Sequence, residues 1–278
     1  MRILGDLEQR NNMSLNGLTN INIELTNKCN KKCWICGRRR IEKENSNFVD
    51  FYNKEMDFEL LEHITAQMPY GIVVQLHNNG EPLLYNQFGN AVKLFKNQIT
   101  NIVTNGKLLL QKYDEIVNNL DTLSISVFQK DPEADEQYNI IKEFLSRKGY
   151  QKPYTTLRLI GDVDQLRYKN LNTQIITRIL HSPYGSFQYE KREPVIPEIG
   201  ICLDFLNHLA INIEGDVSIC VRFDSNKLGV IGNLKNDSLI NIWNNHTRLL
   251  WKQYHVSGNR SLVPLCETCE FWGVPTGF

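Results

Sequence analysis

The chain is predicted to be an α/β protein, on three features of its 278 residues. Short apolar, strand-like segments alternate with helical patterns from residue 21 to about residue 190. The alternation recurs six times, which implies crossover units and a parallel sheet. It then breaks near Pro194-Val-Ile-Pro197. Six units fall short of a closed barrel, so a partial (β/α)6, TIM-like barrel is expected, followed by a small α+β domain. A doubly wound open sheet is the alternative, but no Gly-x-Gly-x-x-Gly fingerprint follows any strand. The expected boundaries are 1–197 and 198–278.

The elements follow in order. Ile21–Thr26 alternates as a strand, and a helix runs from Asp57, a natural N-cap, to about Gln67. Gly71–His77 is the second strand and Phe88–Lys96 its helix. Ile99–Val103 is the third, ending in Thr104-Asn105-Gly106, with Lys107–Val117 helical. Thr122–Phe128 is the fourth; the helix Ala134–Lys148 carries Ile140, Ile141, Phe144 and Leu145 on one face. Thr155–Ile160 is the fifth strand, a helix lies within Asp164–Leu180, and Phe187–Glu190 is the sixth strand. Beyond the break, Leu209–Ile213 and Val217–Cys220 flank Glu214-Gly215-Asp216 as a hairpin, and a helix spans about Ser238 to Tyr254. This C-terminal portion is too short for much core, which a metal staple would offset.

Bulk properties narrow the function classes. Hydrophobic residues make up 41% and charged residues 22%, as in a globular protein, and Lys+Arg and Asp+Glu balance at 31 each. Bulk electrostatic binding of nucleic acid is therefore not expected. No stretch is apolar enough to span a membrane, and the N-terminus has no signal-peptide core, so a cytoplasmic protein is expected. The seven cysteines, Cys29, Cys33, Cys36, Cys202, Cys220, Cys266 and Cys269, are odd in number and clustered. Metal binding in a reducing compartment explains them better than disulfides do.

The first three form Cys29-x3-Cys33-x2-Cys36 directly behind the first strand. Three thiolates cannot complete the shell of an iron–sulfur cube, so one iron is left open. A zinc site completed by histidine is the alternative, although the nearest downstream histidine is His63. The other four could form a closed shell, and spacing alone leaves a [4Fe–4S] cluster and tetrahedral zinc both open.

Cys29-x3-Cys33-x2-Cys36 after a first strand resembles the signature of the radical S-adenosylmethionine (SAM) superfamily. Asn79-Gly80-Glu81-Pro82 after the second strand resembles its Gly-Gly-Glu-Pro motif, with Asn79 in the first glycine's place, a residue that tolerates left-handed angles. Ser124 and Ser126 on the fourth strand match positions that contact ribose and carboxylate, and Ile35 one whose backbone reads adenine. Cys202, Gly215-x4-Cys220, Leu228–Asn233, Ile242-Trp243-Asn244 and Cys266-x2-Cys269 resemble the family's auxiliary-cluster extension in its short twitch form, a variant of SPASM. The resemblance implies two [4Fe–4S] clusters, one SAM-binding and one auxiliary. It also implies a 5′-deoxyadenosyl radical that takes a hydrogen atom from substrate.

The most specific reaction it implies is oxidation of a sugar- or cyclitol-like alcohol, with the auxiliary cluster accepting an electron. A maturase modifying a peptide or protein side chain is the second reading; about 20 residues precede the first strand, which leaves no room for a fused leader-binding domain. A non-catalytic zinc protein is the reading from another class. The candidate substrate residues are His77, Arg158 and Arg222, with Tyr189 weaker. His77 could equally be a hydrogen-bonded core residue, Arg158 could meet the SAM carboxylate instead of substrate or pair with Glu24, and Arg222 could point to solvent. Lys28, Lys31, Lys32 and Arg38-Arg39-Arg40 make a basic rim to which a flavodoxin or ferredoxin electron donor would be steered, unless the run is simply solvated.

Overall fold

The structure, a computed structural model, describes residues 14–38, 53–180, 202–222 and 224–269. Six parallel strands lie side by side in chain order: β1 (Asn20–Ile23), β2 (Val73–Gln75), β3 (Ile99–Thr104), β4 (Thr122–Phe128), β5 (Tyr154–Ile160) and β6 (Gln174–Arg178). A strand order that never reverses keeps successive crossovers on one face, as in a barrel; a doubly wound sheet reverses it. The crossovers contain α1 (Phe58–Thr65), α2 (Phe88–Leu94), α3 (Tyr113–Ile116), α4 (Ala134–Lys148) and α5 (Gln165–Tyr168). The Asp57 carboxylate caps α1 by accepting the Glu59 and Leu60 N–H groups.

Alternation along the strands gives the sheet two unlike faces. Ile21, Ile23, Val74, Ile102, Leu123, Ile125, Leu157 and Leu159 are buried in one core with Leu61, Ile64, Phe88, Ile116, Ile141 and Phe144 of the helices. The alternate positions carry Asn22, Gln75, Asn101, Ser124, Ser126, Thr156 and Arg158. A polar inner face has no apolar partner to pack against, so it is available to line a binding chamber.

The chain then returns through α6 (Leu203–Asn207) to β7 (His208–Ile211), which pairs parallel to β1 on the side away from β2. An antiparallel hairpin follows, β8 (Asp216–Ser218) and β9 (Val230–Asn233), giving one nine-stranded sheet with order β6-β5-β4-β3-β2-β1-β7-β8-β9. The tight turn uses Gly215 at φ +85°. Two helices close the described chain, α7 (Leu239–Trp243) and α8 (His246–Val256). Leu239, Ile242 and Trp243 join the main core, while Phe205, Ile219, Val263 and Leu265 form a second, small one.

The structure corrects several expectations. The helix expected over Lys107–Val117 is confined to α3. The Thr104 hydroxyl accepts the Gly106 N–H and the Asn105 side chain accepts that of Lys107, which favours turns over a helix start. The helix expected within Asp164–Leu180 is one turn, because Asn172 enters the left-handed region at φ +49° and the β-branched run after it becomes β6. The expected strand Phe187–Glu190, and with it Tyr189, lies outside the described residues; the sixth strand of the sheet is β6. The single helix expected from Ser238 to Tyr254 is split, since the Asn245 side chain accepts the Arg248 N–H and starts α8 anew. No helix among the described residues is long and apolar enough to cross a membrane.

Candidate cofactor and substrate site

The loop carrying Cys29, Cys33 and Cys36 leaves the C-terminal end of β1 and is tied down from three sides. Asn105, after β3, donates to Asn30 Oδ1 at 2.8 Å. Lys31 is buried in an ion pair with Asp131, beyond β4, with Glu133 at 3.7 Å. Trp34 Nε1 donates to Gln129 O at 3.3 Å. The loop therefore lies across the ends of β3 and β4. Burial pushes the Cys33 thiol up to about 12, and Cys36 and Cys29 act on it as like charges. The three sulfurs are thus electrostatic neighbours, and a bound cation would offset the cost of ionising them there.

The Gly80–Glu81 turn packs directly on the root of this loop. A Cβ on Gly80 would collide with Thr26 O and stand 2.7 Å from Lys28 O and 2.9 Å from Asn27 Cα, and Glu81 N donates to Lys28 O at 2.7 Å. Glycine is required here for close backbone approach. Asn79 is not in the left-handed region, so tolerance of such angles is not why it serves; its N–H donates to Glu24 Oε1 at 3.1 Å. Glu81 is buried, and its carboxylate accepts from Thr104 Oγ1 (2.7 Å), Asn105 N (2.8 Å) and Leu83 N (3.2 Å). Burial nevertheless raises its pKa to about 7. Glu81 thereby joins the second strand's turn to the end of β3.

On the inner face, Ser124 and Ser126 point the same way, and Ser126 is in register with Arg158. Neither serine hydroxyl makes a hydrogen bond among the described residues, so both remain available. Ile35 lies half-buried on the loop beside Cys36. His77 is occupied: its Nδ1 accepts the Val103 N–H at 3.1 Å and its carbonyl accepts from Asn22 Nδ2 at 2.8 Å. Burial first, then Arg158 and His208, lower its pKa to about 3, leaving a neutral ring that extends the β2–β3 pairing. Arg158 does not pair with Glu24. Among the described residues its guanidinium makes no hydrogen bond or ion pair, and its Nε is buried.

The other four cysteines meet around the small second core, against which Cys202, Cys220 and Cys266 pack. Cys220 is raised by burial and feels Cys202 and Cys269; Cys266 is pushed up to about 12 and feels the same two. Arg222 spans the set: its N–H faces Cys220 Sγ at 3.4 Å, Nη1 donates to Leu265 O at 2.8 Å and Nη2 to Thr268 Oγ1 at 3.3 Å. Among the described residues no three Cys, His, Asp or Glu groups converge as a single ion requires. A cube spreads its thiolates over separate irons. Two sets of neighbouring thiols, one of three in which Cys29 is exposed and one of four that are all half-buried, fit an open and a closed cluster.

A cavity connects the two regions. Glu24, Asn78 and Asn79 line one end and Cys220, Arg222 and Asp224 the other, with Ala210, Asn212 and Ser218 between. Glu24, buried with its pKa raised chiefly by desolvation, was legible in the sequence only as a partner for Arg158. The basic rim is not a free patch among the described residues. Lys28 pairs with Glu55 at 3.0 Å, Lys31 and Arg38 are buried, and Arg39 and Arg40 lie outside the described residues; Lys32 is exposed. Sequence reading also missed Lys31–Asp131 and Asn30–Asn105, whose partners lie far apart along the chain.

Comparison with known proteins agrees with this arrangement. Residues 202–270 match SPASM, an iron–sulfur cluster-binding domain, and this span holds the four C-terminal cysteines. The fold matches the crystal structure of BtrN in complex with AdoMet and 2-DOIA (TM-score 0.59, 17% identity, 91% of this chain and 92% of that one). It also matches Streptococcus suis SuiB bound to precursor peptide SuiA (TM-score 0.63, 13% identity, 97% and 74%). The chain is thus similar to radical SAM enzymes over nearly its whole length and carries a SPASM-type, iron–sulfur cluster-binding C-terminal region. Over 267 residues it is 22% identical to the S-adenosyl-L-methionine-dependent 2-deoxy-scyllo-inosamine dehydrogenase of Niallia circulans, covering 92% of this chain and 94% of that protein. A 143-residue stretch, 49% of this chain, is 28% identical to a probable GTP 3′,8-cyclase of Methanococcus aeolicus; it spans about half (46%) of the cyclase's length.

Proposed function

We propose that this enzyme removes a hydrogen atom from a small polar substrate, in its most specific form the carbinol hydrogen of a sugar- or cyclitol-like alcohol. Cys29, Cys33 and Cys36 would hold a SAM-binding [4Fe–4S] cluster, and Cys202, Cys220, Cys266 and Cys269 a closed auxiliary one. When bound, these groups with SAM supply hydrogen-atom abstraction at one end and an electron acceptor at the other. Converting the alcohol to a ketone releases one hydrogen atom, one hydroxyl proton and one electron, so the chain must also provide a proton acceptor.

Glu24 suits that task, because it lines the cavity and burial raises the proton affinity of its carboxyl. Ser124, Ser126, Asn79 and the Gly80–Glu81 turn would position SAM, with Ile35 beside it. Lys32 and Trp34, exposed at the loop, are where a flavodoxin or ferredoxin donor would approach. The observation that carries the reading is the cavity joining the Asn79 turn to Cys220 and Arg222.

Anaerobic reconstitution tests it. The expected result is about eight irons per chain and 5′-deoxyadenosine released under dithionite. One or two zinc ions with no SAM cleavage would sink the reading. Turnover of peptides alone, with no polyol oxidised, would move the substrate class to peptide or protein side chains.

A further inference from the structure

We infer that Arg222 and Arg260 form a cationic clamp on the C-terminal thiol set, one that raises its cluster's reduction potential and so fits it to take the electron leaving the substrate. This rests on the reading of Cys202, Cys220, Cys266 and Cys269 as ligands of an iron–sulfur cluster. Arg222 stands two residues past Cys220 and reaches across to the segment that carries the other pair. Its Nη1 donates to Leu265 O at 2.8 Å and its Nη2 to Thr268 Oγ1 at 3.3 Å. Arg260, buried in the turn after α8, donates from Nη1 to Cys266 O. Two guanidinium groups thus grip one short segment, at positions beside Cys266 and Cys269. The Arg222 N–H also faces Cys220 Sγ at 3.4 Å. Arg222 lines the cavity together with Cys220, so it borders the space that substrate would occupy.

Bonds to backbone carbonyls hold both charges in place instead of leaving them to swing in solvent. Both act on the Cys266 sulfur in the sense that favours its ionised form. Once the carbinol hydrogen is gone, closing the ketone breaks the O–H bond and releases one electron. The proton passes to Glu24, and the electron adds one negative charge to the thiolate-bound cluster. A fixed positive charge stabilises the more negative of the two redox states by more, so it raises the potential. A backbone N–H aimed at a ligand sulfur acts in the same direction, and Arg222 supplies one. The acid that opposes them is Asp204, which acts on Cys220. Its side chain is half-exposed and screened by water, whereas Arg260 is buried. A clamp that only held the segment together would leave the potential where it was.

The test is a redox titration of the anaerobically reconstituted enzyme, followed by electron paramagnetic resonance. The auxiliary signal is the one that Cys29→Ala retains and Cys220→Ala loses. Arg222→Gln and Arg260→Gln should each lower the ratio of reduced to oxidised auxiliary cluster about threefold at a fixed potential. Together they should lower it about tenfold, a shift of about 59 mV. Iron content and the midpoint of the first cluster should not move. Arg222→Lys and Arg260→Lys keep the charge and should restore most of the native ratio. Where the Gln variants do not retain the auxiliary iron, Asp204→Asn decides instead. It removes the opposing charge without touching the clamp, and should raise the ratio about twofold. The proposal is overturned by an unmoved midpoint in the iron-complete double variant, or by a Lys variant shifted as far as its Gln counterpart. An Asp204→Asn midpoint that does not rise overturns it equally. Failure of the parent reading shows separately, as zinc in place of iron and no auxiliary signal in Cys29→Ala.

Discussion

A methyl group added at Gly80 has nowhere to go: Lys28 O, 2.7 Å away, and Asn27 Cα, 2.9 Å away, are backbone atoms at the root of the three-cysteine loop. Gly80→Ala should therefore cost about 1–3 kcal/mol, read as a lowered urea midpoint, and should reduce retention of the first cluster's iron. His77 is testable through pH. Its folded pKa of about 3 lies below the ordinary 6.5, so between these values the unfolded chain binds a proton that the folded chain does not. Its contribution is complete above pH 6.5 and is lost as pH falls toward 3. Glu81 runs the other way: its pKa is raised from 4.5 to about 7, so its contribution declines as pH rises through that window. His77→Asn keeps an acceptor for the Val103 N–H and cannot titrate. Denaturation between pH 6.5 and 4 should then show a stability slope less steep than the native protein's by up to about 1.4 kcal/mol per pH unit. An unchanged slope would assign the acid sensitivity elsewhere.

At the scale of elements, the Lys31–Asp131 pair links the three-cysteine loop to the segment after β4. The side chains are 3% and 7% exposed, so removing one partner leaves a buried charge uncompensated. Lys31→Met should destabilise by about 3 kcal/mol or more, and the double change Lys31→Met with Asp131→Leu by much less. Urea unfolding of the two variants separates this from a solvated lysine, whose loss would cost little. The same pair shows where sequence reading ended. Lys31 looked like one charge in a basic run, because its partner lies 100 residues away and only the pairing of β1 through β4 brings the two together. By contrast, Thr122–Phe128 and Ala134–Lys148 were legible to the residue, since strand alternation and a one-sided apolar face are local patterns. β6 was missed because Gln174–Arg178, only half-buried at an edge, shows little alternation.

At the scale of the molecule, β7 lies beside β1, so the strand that leads into the first thiol set is flanked by the strand that leads toward the second. That adjacency opens the cavity between Asn79 and Cys220. Cys29→Ala should lower iron from about eight to about four per chain and abolish SAM cleavage. Cys220→Ala should lose a similar amount of iron and retain SAM cleavage without substrate. If both variants lost cleavage equally, the two sets would not be independent sites. Residue types and spacings along the chain determined the seven thiols, their division into three and four, the Gly80–Glu81 turn and the alternating α/β order, because each is a pattern within a few neighbouring residues. Tertiary structure alone decided that His77 is tied to Val103, that Glu24 faces a cavity and that Arg158 meets no carboxylate among the described residues. Those outcomes depend on sheet register, which brings together residues far apart in sequence, and charge pairing follows from it.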